Sequence, residues 1–101
     1  MSTMKIKALG RTIKVSFEKP GMWAGPMVGR CSPAEDHIVI DKQYPGRSQA
    51  SVLLHEIVHW IAIDCSLGFK DSEQDVSTLA TVLYEILAKN PRLVQFLTKG
   101  E

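Results

Sequence analysis

The chain has 101 residues, 45% hydrophobic and 23% charged, a balance that excludes a disordered segment and fits an ordinary globular domain. Twelve basic and eleven acidic residues leave a net charge of +1 without a basic block, so composition offers no electrostatic basis for nucleic-acid binding. No apolar run reaches transmembrane length and Met1 to Lys7 lacks the apolar core of a signal peptide, so no membrane association is expected and the cytoplasm is the expected location.

A second core would leave each half below the size that usually folds unaided, so residues 1–101 are expected to form a single domain. Lys5-Ile6-Lys7-Ala8-Leu9 and Thr12-Ile13-Lys14-Val15-Ser16-Phe17 each alternate apolar with polar residues around Gly10-Arg11. That pattern predicts a hairpin with one wet face and a glycine where the turn needs positive φ. From Glu18 to Gly29, two prolines and three glycines break any regular element and predict a loop, which Trp23 pins to the core or closes over a cleft. Val28 to Cys31 is expected as a short strand. His37-Ile38-Val39-Ile40-Asp41, rich in β-branched residues and flanked by turn formers, is expected as a fourth.

Tyr44-Pro45-Gly46 interrupts the chain before a long helix for which Ser48 is the expected N-cap. Apolar residues run almost without pause from Val52 to Ile63, so this helix is expected to lie inside the domain and to end with Gly68 in the left-handed cap position. Asp71 or Ser72 is expected to cap a second helix whose inward stripe is Val76, Leu79, Ala80, Leu83, Ile86 and Leu87. Asn90-Pro91 ends it and opens a short third helix bearing Leu93, Val94, Phe96 and Leu97. The expected architecture is α+β, a small and mostly antiparallel sheet of three or four strands with the helices packed on one face.

Chemistry concentrates in Leu53-Leu54-His55-Glu56-Ile57-Val58-His59. On a helix, His55 and His59 stand one turn apart on the same face and can aim two imidazole nitrogens at one point. That arrangement suits Zn2+, and Glu56 is placed as general base for a water activated there. A catalytic zinc site normally takes three protein ligands. The residues after His59 supply no third histidine, leaving Asp64, Glu73, Asp75, Glu85 and His37. Asp64 points elsewhere on its helix, and Glu85 lies well down the next one. Folding the second helix back on the first brings its first turn near His59. Glu73 shares a face with Val76, Ser77 and Ala80 whereas Asp75 is rotated away, so Glu73 is favoured over Asp75, and Ser77 is placed to hydrogen-bond a ligand. His37 and Tyr84 qualify by type alone as oxyanion-stabilising groups. Cys31 and Cys65 are too few for a zinc knuckle or a disulfide framework and are expected as reduced thiols, the alternatives being one disulfide or Cys31 beside the metal.

The order Leu53-Leu54-His55-Glu56-Ile57-Val58-His59, a glycine-bearing turn and Ser72-Glu73-Gln74-Asp75-Val76-Ser77-Thr78-Leu79-Ala80 resembles the small zinc metallopeptidases of the ImmA/IrrE type and their short phage and prophage relatives. The resemblance spans nearly the whole chain. It implies a minimal zincin-like domain with zinc on His55, His59 and Glu73 and with Glu56 as catalytic base. Many larger relatives carry a glutamate followed by alanine and asparagine or aspartate where this chain has Asp75-Val76-Ser77, so the residue that would support a zinc-bound histidine is a serine here. The function expected is zinc-dependent hydrolysis of a peptide or protein substrate that adds itself to an edge strand, with residues 37–41 open to either placement, as that edge or inside the sheet. The alternative is a zincin-fold binding module that holds a regulatory protein and cleaves weakly or not at all.

Overall fold

The computed structural model describes residues 3–18, 29–41 and 49–100. The expected loop carrying Trp23, the break at Tyr44-Pro45-Gly46 and the Ser48 cap lie outside them. The architecture is α+β. Strands β1 (Thr3–Ala8), β2 (Arg11–Glu18), β3 (Gly29–Ser32) and β4 (His37–Asp41) precede helices α1 (Gln49–Asp64), α2 (Glu73–Lys89) and α3 (Pro91–Lys99). The four strands form one sheet in the order β1-β2-β4-β3.

Alternation sets the register of the first hairpin, in which Ile6 pairs with Ile13 and Met4 with Val15. Its two-residue turn is Leu9-Gly10, both at positive φ (52° and 75°), the combination that matches strand twist, and Arg11 opens β2 instead of sitting in the turn. β4 pairs parallel with β2 and antiparallel with β3, so the sheet is mixed and β4 is an inner strand. Of the two placements open to residues 37–41, the structure shows the internal one. Among the described residues the edges are β1 and β3, because the chain crosses beyond β4 to lay down β3 before returning to fill the gap.

One face of the sheet packs on α1. Ile13 and Val15 from β2, Ile38 and Ile40 from β4, and Val52 and Trp60 from α1 form the main core, with Cys31 on β3 against it. The opposite face is not uniformly wet, since Ser16 and Val39 are each 3% exposed. Arg11 ties this layer together. Its guanidinium lies 4.8 Å from the Trp60 ring centroid, donates to Asp36 at 2.6 Å and to Asp64 at 2.8 Å, and so joins the hairpin to the end of α1.

The helices depart from their expected burial. In α1, Ile61 and Ile63 are 40% and 42% exposed, so only part of its apolar circumference is inside. Its end is held by bonds from Ser66 N–H to the Ile63 carbonyl and from Leu67 N–H to the Ala62 carbonyl, with Ser66, not Gly68, in the left-handed region (φ 55°). Ser72 caps α2, its Oγ accepting from the Asp75 N–H at 3.1 Å. Val76 and Ala80 pack with Val58 of α1 and with Phe69, but Leu79 and Ile86 of the expected inward stripe are 46% and 42% exposed. Pro91 opens α3 as expected, and none of its residues is buried.

Candidate metal centre

The centre forms where the middle of α1 faces the first turn of α2. An i, i+4 pair on α1 sets the His55 and His59 rings edge to face, their centroids 4.8 Å apart and their planes at 67°. The antiparallel return of α2 is pinned by Val58 against Val76 and Ala80, and it delivers Glu73 to both rings. Glu73 Oε2 lies 3.0 Å from His55 Nε2, and Glu73 Oε1 lies 2.7 Å from His59 Nε2. Ser77, one turn on, donates its hydroxyl to Glu73 Oε2 at 3.3 Å.

The ligand-type atoms of His55, His59 and Glu73 all lie within 4.8 Å of one another. In a tetrahedral zinc site with bonds near 2.1 Å, ligand atoms stand about 3.4 Å apart. The observed 2.7 and 3.0 Å are slightly closer, and the Glu73 side chain, 67% exposed, has room to swing outward. Two imidazole nitrogens and a carboxylate are a donor set of the kind that zinc sites use. The imidazoles are half-buried, 24% and 19% exposed, not enclosed as the apolar run around them suggests.

Glu56 projects from the same helix but into the protein, with 6% exposure. Burial, and secondarily the negative charge of Glu73, push its carboxyl up to about 7. β3 runs directly over it. A Cβ built on Gly29 would stand 3.1 Å from Glu56 Cγ, 3.2 Å from its Oε2 and 3.0 Å from Val52 Cγ1. Glycine at this position is thus what allows an edge strand to lie against the candidate base.

The other candidates lie elsewhere. Asp75 occupies the first turn of α2 with its backbone N–H on Ser72, and its carboxylate is not in the cluster. Asp64 pairs with Arg11, and Glu85 with Lys89 at 2.9 Å. His37 Nε2 is 2.9 Å from Ser16 Oγ, inside the sheet. Tyr84 is three turns down α2 from Glu73, roughly 16 Å along the axis. Cys31 and Cys65 are both free thiols, and Cys31 is near enough to Glu56 to feel its charge but is not in the cluster. Gly29 is the site residue that sequence reasoning passed over. Its one signal was a glycine inside a short strand, which marks close backbone approach.

No protein-family model, curated protein or solved structure matches the chain.

Proposed function

We propose that this chain is a zinc-dependent peptidase of the small zincin type, similar to the ImmA/IrrE family, acting on an extended peptide or protein segment. The observation that carries the reading is the meeting of two imidazoles and a carboxylate within 4.8 Å, beside a glutamate only 6% exposed. His55 and His59 would hold zinc through Nε2 and Glu73 through its carboxylate. When bound, the ion supplies a Lewis acid for the scissile carbonyl and acidifies water.

The remaining chemistry belongs to the chain. Glu56 takes a proton from the attacking water at its carboxylate and passes it to the departing amine. The burial of Glu56, at 6% exposure, keeps bulk water from competing for that proton. The Ser77 hydroxyl steadies Glu73, doing for the carboxylate what hydrogen-bond partners do for metal ligands generally. The outer edge of β3, rather than β4, is the place for an extended substrate to add as a further strand. Backbone pairing there would carry the substrate past Gly29 and hence past Glu56. Free Cys31 and Cys65 fit a reducing, cytoplasmic setting.

Metal analysis together with the Glu56→Gln variant tests the proposal. The expected result is about one zinc per chain in both proteins. Cleavage of a proteome-derived peptide library should fall at least about 100-fold in the variant. Absence of stoichiometric zinc, or a variant that cleaves like the wild type, overturns it. Zinc retained by a wild-type chain that cleaves nothing would assign it to the binding-module reading instead.

A further inference from the structure

α2 carries a second stripe that neither the core nor the metal centre uses. Asp75, Leu79, Val82, Ile86 and Lys89 follow one another at steps of four, three, four and three, the spacing of a helix–helix seam. Its three apolar members are 46%, 48% and 42% exposed, and the Lys89 side chain is 73% exposed. The stripe is centred about 120° around the helix from Val76 and Ala80, on the side away from Glu73 and Ser77. It is also nearly palindromic about Val82. Asp75 lies seven residues before that point and Lys89 seven after, with apolar residues between.

From this we infer that α2 is the seam of a two-fold homodimer in which two copies of the chain pack antiparallel through Val82. Antiparallel pairing sets Asp75 of each copy opposite the partner's Lys89, so two attractive contacts close the ends of an apolar strip. Parallel pairing would set Asp75 against aspartate and Lys89 against lysine, and like charges exclude it. Lys89 now reaches Glu85 on its own helix, an exposed contact that is weak enough to be shared. The adjoining α3 also exposes Leu93, Phe96 and Leu97. The seam lies off the side of α2 that carries Glu73 and Ser77, so pairing through it does not use the residues of the candidate centre.

Analytical ultracentrifugation of the full chain from about 1 to 500 µM tests this, as does the same run on three charge variants and one steric variant. The wild type should move from 11.2 kDa to twice that mass as concentration rises. Val82→Arg should stay monomeric, with the circular dichroism of the wild type because the site is 48% exposed. Asp75→Lys and Lys89→Asp should each weaken dimerisation at least about tenfold, and the double variant should restore it, since only a cross-copy pair is mended by exchanging both charges. A wild type that remains at 11.2 kDa throughout overturns the inference and leaves the face to a different partner. Dimerisation of Val82→Arg at wild-type strength, or a double variant as weak as the single ones, overturns it equally.

Discussion

Gly29 and Glu56 meet across the gap between β3 and α1 so closely that the nearest atoms of Glu56 stand 3.1 and 3.2 Å from where a Cβ on Gly29 would be. Those distances are tighter than ordinary van der Waals contact, and Val52 Cγ1 at 3.0 Å closes the other side. The edge strand and the candidate base are therefore positioned by the same contact.

Gly29→Ala should disturb both partners at once. Overpacking of this kind costs about 1–3 kcal/mol, seen as a lower melting temperature. Glu56 is the mobile side of the contact, so its displacement by a few tenths of an ångström should also lower kcat by roughly 10- to 100-fold. Equal melting and equal turnover in the variant would show that β3 relaxes away and does not set the base.

Glu73 and Asp75 should separate cleanly on metal binding. Glu73 reaches both imidazoles, whereas Asp75 lies outside the cluster. Glu73→Ala should weaken zinc binding by at least about 100-fold, as loss of a ligand exceeds the 10- to 100-fold typical of losing a supporting group, while Asp75→Ala leaves affinity nearly unchanged. Competition titration against a chromogenic chelator reads both. A larger loss in Asp75→Ala would move the third ligand to that residue.

The two thiols should differ in reactivity. Burial, and then the charge of Glu56, push the Cys31 thiol up to about 11, whereas Cys65 is exposed. Because a thiol with a raised folded pKa holds its proton, the contribution of Cys31 to stability is complete below pH 9, its ordinary value, and is lost as pH rises through about 11. At pH 8, iodoacetamide should label Cys65 and spare Cys31, and labelling of Cys31 should accelerate only toward pH 11, as followed by intact-mass spectrometry. Equal labelling of the two at pH 8 would show that Cys31 is neither shielded nor protonated.

Local chemistry was legible wherever it depends on neighbours in the chain. The alternation of Ile13, Val15 and Phe17 predicts β2, the His37–Asp41 strand has its expected limits, and Ser72 and Pro91 mark the helix starts they were expected to mark. Helical phase placed Glu73 and Ser77 on one side of α2 and Asp75 on another, and the structure sets Glu73 against both histidines. Periodicity overstated burial on α2 and α3. A stripe of Leu79, Val82 and Ile86 announces an apolar face but does not say which neighbour covers it, and in the monomer none of the described residues buries them.

What the sequence by itself determined is the chemical inventory of the centre: two imidazoles and a glutamate on one helix, and a carboxylate in the first turn of the next, all set by i, i+4 spacing and helix capping. Tertiary structure alone decided that β4 lies between β2 and β3, that β3 is an edge among the described residues, and that Gly29 rides over Glu56. It also decided that Arg11 leaves the hairpin turn to bridge Asp36 and Asp64, and that Ser66 rather than Gly68 takes the left-handed cap. Each of these depends on contacts between residues far apart in the chain. Spacing along a helix carries no information about which strand will be laid against it.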